Sequence, residues 1–234
     1  MKKRILALAL VASMCVSLAA CGNSGSKETE GTATNSSSAA AETTASGETE
    51  AEGDPVKGGT LTISLSASPS KLDPIHYSGT YESQIIKEVC DTLIEYNSDL
   101  SEYVPALATD WTVSDDGITY VFNIRQGVKF QKGQYQDGRE MTAEDVAYSL
   151  NRSGELSDSN RLSMLDKAEA TGDYEVTCTL KSANSSFLTA LTDAGNAIVP
   201  KEEVEGWGDD FGNHLVGTGP FSLESFQLDQ QAVL

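Results

Sequence analysis

Hydrophobic and polar positions recur along this chain at two periods, and the periods mark out its elements. In "GGTLTISLSASPSKLDP" Leu61, Ile63 and Leu65 fall two apart, the pattern of a strand with one buried face, and Pro69 and Asp73-Pro74 end it. In "SGTYESQIIKEVCDTLIEYN" the spacing widens. Ile85, Val89 and Leu93 repeat every four residues with Ile86 and Cys90 beside them, predicting an amphipathic helix with Thr80 as its N-cap. "WTVSDDGITYVFNIRQGVKF" predicts a β-hairpin: Trp111 and Val113 alternate before a Ser114–Gly117 turn, and Ile118, Tyr120, Phe122 and Ile124 alternate after it. Thr142 with Asp145 three residues on predicts a capping box opening a helix that carries Val146 and Leu150. "YEVTCTL" puts Tyr174, Val176, Cys178 and Leu180 on one strand face, "SSFLTALT" reads as a short helix, and "GTGPFSLESFQL" opens another strand pair. The fold class is mixed α/β.

Before Gly58 the pattern is different. Lys2, Lys3 and Arg4 precede an apolar stretch, Ile5 to Leu18, too short to span a bilayer and fitting the core of a secretory signal. Ala19 and Ala20 then run straight into Cys21, and "LAACGNS" resembles the lipobox of bacterial lipoproteins, in which the cysteine thiol takes a diacylglyceryl group and becomes the first mature residue. One acyl chain holds a protein only marginally, and two on one thioether make a stable tether. Residues 1–20 are thus read as the signal. Residues 21–57 are read as lipidated Cys21 with a Ser-, Thr-, Glu- and Ala-rich linker, too poor in large apolar residues to order itself, with a reach of about 30–36 Å. Two cysteines remain. Sequence leaves open whether Cys90 and Cys178 pair, and two buried free thiols are the preferred reading.

Charge and chemistry narrow the function. The formal charge is −19, and loss of Lys2, Lys3 and Arg4 with the signal makes the mature chain three units more negative. That balance disfavours nucleic acid and electrostatic adhesion to anionic lipid. Neither His76 nor His214 has a second ligand at metal spacing, and no H-E-x-x-H, C-x-x-C or G-x-S-x-G occurs. Asp115 and Asp116 lack calcium-loop spacing and belong to turn chemistry. Gly217-Thr218-Gly219-Pro220 has no following Lys and is read as a loop between strands. Glu144 and Asp145 suit a first helical turn, while Trp111 and Trp207 suit packing. The residues point to no enzyme, no cofactor and no metal.

Longer blocks carry a resemblance. "GGTLTIS" with "KLDP", "VPALATDWTVSDDGITYVFNIRQGVKF", "DGREMTAEDVAYSLNR" and "GTGPF" are similar, in order and spacing, to the family 5 extracellular solute-binding proteins. These are the oligopeptide-, dipeptide- and nickel-binding receptors of ATP-binding cassette importers. "QKGQYQDG" after Phe130 departs from the family's shorter turn. The resemblance implies a periplasmic-binding-protein-like fold, two lobes closing on a ligand, with an extra β-rich domain inserted. It assigns 58–100 to the first part of lobe I, 101–205 to the extra domain and 206–234 to a return to lobe I. The second lobe is expected to be missing and the sheet of the first incomplete.

From the same resemblance, ligand contacts are expected near His76, Tyr77, Ser78 and Tyr81, although Tyr77 and Tyr81 suit packing equally well. The implied function is a monomeric lipid-anchored receptor on the extracytoplasmic face, at the outer plasma membrane or in the periplasm. It would take a short peptide or similar solute to permease subunits with their ATPase. Nickel chelates, haem and oligosaccharides are ligands that the same first half also allows. Two alternatives stand beside it: a peptide-signal sensor lipoprotein, and a surface enzyme with catalytic residues beyond Leu234.

Overall fold

The structure, a computed structural model, describes residues 58–234. Cys21, the signal and the linker lie outside the described residues. Thr60–Leu234 form one unit. Its centre is an antiparallel four-stranded sheet ordered β3-β4-β6-β5, from β3 (Ala108–Val113), β4 (Thr119–Ile124), β5 (Leu165–Gly172) and β6 (Glu175–Leu180). A short ribbon precedes it, β1 (Ile94–Tyr96) with β2 (Tyr103–Pro105).

On β4 and β6 the period-two residues form the core as the pattern predicts, whereas Val113 is exposed and Trp111, Ile118 and Tyr174 are only partly buried against it. Tyr120, Phe122 and Ile124 of β4 and Val176, Cys178 and Leu180 of β6 are all buried in one cluster. Helix α2 (Ala143–Leu156) adds Val146 and Leu150 to that cluster. Its start is held by Asp145, whose Oδ2 accepts from the Thr142 N–H at 3.0 Å. The hairpin turn also forms as expected, with Gly117 at φ +67° and the Asp116 carboxylate accepting from the Ile118 N–H. Short helix α3 (Phe187–Leu191) closes one end of the cluster. Cys90 and Cys178 are buried free thiols. Burial pushes the Cys178 pKa up to about 12.

A second cluster packs helix α1 (Thr80–Val89) against α4 (Lys201–Trp207) and the 3-10 turn after it, through Ile85, Ile86, Val89, Val204, Phe211 and Leu215. Packing passes from this cluster to the sheet between Cys90 and Leu93, and returns across 191–199.

Three expectations are altered. The 61–65 segment is not a strand: Leu61 and Ile63 are 85% and 71% exposed. Alternation makes a strand only where a neighbour takes its backbone bonds, and among the described residues none pairs with it. Helix α1 ends at Val89, so Leu93 belongs to the sheet-side core. The reason lies in "GTGPF": Gly219 N–H donates to the Val89 carbonyl at 2.9 Å and Phe221 N–H to that of Glu88 at 3.1 Å. The N-cap is Gly79, one residue before the expected Thr80. Strand β5 was not legible, because register shifts at both ends break its alternation. The last strand pair, β7 (Ser225–Gln227) with β8 (Gln231–Val233), does form.

Gly217 sits where the two clusters join. A Cβ there would overlap the Val89 carbonyl and the Cys90 side chain. Because the obstacle is largely backbone, Gly217→Ala is expected to cost about 1–3 kcal/mol of stability. An unchanged urea midpoint would show that the loop yields freely.

Candidate functional site

Asp73 organises the segment between the exposed 61–65 stretch and α1. Its carbonyl accepts from the His76 N–H at 2.9 Å and the Tyr77 N–H at 3.1 Å, so the chain turns tightly over Pro74. Its carboxylate meets both terminal nitrogens of Arg152, at 2.8 and 2.6 Å, with the side chains only 9% and 10% exposed. Arg152 is on α2, so this fork pins the turn to that helix.

Beside the turn lies a polar concavity of about 350 Å³, lined by Ser70, Lys71, Leu72, Asp73, His76, Asp209, Gly212 and Asn213. Of the residues expected from sequence, His76 alone lines it. The His76 Nδ1 is 3.0 Å from Asp158 Oδ2, and Lys71 Nζ reaches the same oxygen at 4.0 Å. Tyr77 turns inward: it is buried, and its hydroxyl donates to Asp193 Oδ1 at 2.7 Å. Burial first, then the hydrogen bond and charge of Asp193, push its pKa up to about 12. Ser78 is exposed. Tyr81 is partly exposed, with its hydroxyl bonded to Ser66 Oγ. The loop therefore carries His76, Tyr77 and Ser78, with Tyr81 in the first turn of α1, and it buries Tyr77 while the other three reach solvent.

The start of α1 is already occupied by an anion. Glu82 is buried and accepts from the Ser70 N–H at 2.8 Å and its hydroxyl at 3.0 Å. Burial opposes its ionisation, yet bonds from Ser70 and from the backbone of Glu82 and Gly79 outweigh it and hold the carboxyl below its ordinary value. Glu82, Lys71 and Asp158 are not singled out as site residues by the sequence, in which Asp209 stands out only as half of the acid pair Asp209/Asp210. Only the position of Glu82 in a first helical turn was a usable signal.

A third arrangement fixes the "QKGQYQDG" loop. Glu203 is fully buried, accepting from the Tyr135 and Gln136 N–H groups at 2.6 and 3.0 Å and from Trp207 Nε1 at 3.1 Å. Trp207 stacks on His214 with centroids 3.5 Å apart. These contacts are internal, matching the packing role expected of Trp207. Among the described residues no group of three or more His, Cys, Asp or Glu is placed to hold a metal ion.

The sequence profile of the bacterial extracellular solute-binding proteins, family 5, middle region, matches residues 102–234. The chain belongs to this family. The glutathione-binding protein GsiB of Salmonella paratyphi A is 32% identical over 166 residues, covering 71% of this chain and 32% of GsiB. Two solved structures are similar in fold. The ABC transporter-associated periplasmic binding protein DppA from Helicobacter pylori, in complex with peptide STSA, has a TM-score of 0.61 at 25% identity, covering 71% of this chain and 36% of DppA. MoaA from A. tumefaciens R10, in complex with mannopinic acid, has a TM-score of 0.63 at 28% identity, covering 71% and 34%. The chain spans about a third of the length of these relatives. The mixed α/β fold is that of the family 5 binding proteins.

Arg152→Ala would leave the Asp73 carboxylate buried without its partner. Removing one member of a buried pair costs about 3–5 kcal/mol. A fall of that size in unfolding free energy from denaturant titration is expected, and a loss under about 1 kcal/mol would remove the pair from its organising position.

Proposed function

We propose that this family 5 protein is an extracytoplasmic receptor that captures a short peptide and hands it to the permease of an ATP-binding cassette importer. The observation that carries this reading is the family match over 102–234, together with relatives described as glutathione-binding and as holding a peptide. The described loop suits such a task. His76 and Ser78 reach solvent from the turn and Tyr81 from the start of α1, beside a concavity furnished with a Lys, an Asn and two Asp residues. Capture would proceed by closure of two bodies around the ligand, the closed state being populated because ligand binds it more tightly. No bond in the solute is made or broken. The receptor would be held at the membrane by lipid on Cys21 and would act as a monomer.

Ligand class is tested by thermal unfolding and titration calorimetry on the native protein with glutathione, Met-Leu, a tetrapeptide and mannopinic acid. A peptide at 100 times its Kd should stabilise the fold by about 2.7 kcal/mol. Stabilisation by mannopinic acid alone would replace peptide with a sugar-acid conjugate, and peptide recovered in cleaved form would turn the receptor into an enzyme.

The tether is tested separately. Cys21→Ala should shift the protein from the detergent phase to the aqueous phase in cell fractions. Equal partitioning of variant and wild type would refute lipid attachment at this cysteine.

A further inference from the structure

Three features of Tyr77 are held, and Arg161 reaches two of them directly. Arg161 Nη2 donates to the Tyr77 carbonyl at 2.9 Å, and the guanidinium carbon lies 4.0 Å from the centre of the Tyr77 ring. Arg161 Nε also pairs with Asp193 Oδ1 at 2.8 Å, the same oxygen that accepts from the Tyr77 hydroxyl. Asp193 is itself positioned by the Gly195 N–H, at 2.8 Å. The Arg161 side chain is only 12% exposed.

Arginine suits this place for a physical reason. A flat fork stacks on a ring while donating in its own plane, which a lysine ammonium does not do. The neighbouring backbone is shaped for it. A Cβ on Gly195 would overlap Cδ and Nε of Arg161, so the glycine leaves room for the stem. The same turn holds the residues just before Tyr77: Asp158 N–H donates to the Ile75 carbonyl at 3.0 Å, and its carboxylate meets His76.

We infer that Arg161 is a positioning residue for the candidate ligand loop. By fixing the ring and carbonyl of Tyr77 inward, it obliges His76 and Ser78, on either side, to face solvent in one arrangement. The loop is thereby ordered before ligand arrives, which spares binding the entropy of ordering it. The inference rests on the receptor reading for its purpose, while the positioning itself is measurable without ligand.

The test uses Arg161→Ala, Arg161→Lys and Gly195→Ala in the protein as the cell makes it. Hydrogen exchange is followed at amides 75–79 and in β4 and β6, and affinity is titrated with glutathione and Met-Leu. Arg161→Ala and Gly195→Ala should speed loop exchange by about tenfold or more while leaving β4 and β6 within about twofold. Both should weaken whichever probe binds wild type by about tenfold. Arg161→Lys should restore part of each effect, because it keeps the charge facing Asp193 but not the fork. Unchanged loop exchange, or a loosened loop with unchanged affinity, overturns the inference. Failure of both probes to bind wild type counts against peptide capture, and the exchange rates then decide alone whether Arg161 positions the loop.

Discussion

Asp73 and Arg152 meet in a nearly dry contact, and much of the described structure is arranged around it. A buried ion pair gains little over an apolar pair of the same shape, because two charges must first leave water. What it supplies is definition: a fork of two short hydrogen bonds admits one relative placement of the turn and α2. Phe211 lies under the guanidinium with its ring centre 5.9 Å away, so the 3-10 turn after α4 is drawn into the same contact. The backbone turn over Pro74, the concavity and the outward face of the candidate loop all inherit that placement.

The two hydrophobic clusters are joined by polar contacts. The Gln131 side-chain amide donates through Nε2 to the carbonyls of Val89 and Gly219 at 3.2 and 2.9 Å, and its Oε1 accepts from the Gly217 N–H at 3.3 Å. One amide thus ties the sheet-side loop, the end of α1 and "GTGPF" together. Ser149 does the same on the other side, accepting from the Val199 N–H at 3.0 Å. Among the described residues no buried side-chain nitrogen or oxygen lacks a partner. Such satisfaction makes α2 and the turn after it part of the machinery that holds the candidate loop, since Arg152, Asp158 and Arg161 all come from them.

Membership of family 5 brings a consistent picture of these features. Two of the motifs that carry the likeness, the hairpin around Gly117 and the helix start at Thr142, are scaffold and do not line the concavity, whereas "KLDP" supplies Lys71, Leu72 and Asp73 to its wall. The similar structures hold ligands as different as a peptide and mannopinic acid.

Local periodicity alone determined β4, β6, α2 and the hairpin turn, because each depends on residues within a few positions of one another. Phe122, Val176 and Val146 declare their buried faces by spacing. Residues 61–65 have the same alternation and remain exposed, since a strand also needs a neighbour, which spacing does not report. Helix α1 stops at Val89 because a loop some 130 residues later takes its last carbonyls. The inward turn of Tyr77 follows from Asp193 and Arg161, both far along the chain. Where the deciding partner lies far away in sequence, only tertiary structure shows which side chains are presented and which are buried, because burial belongs to the packed whole and not to the residue.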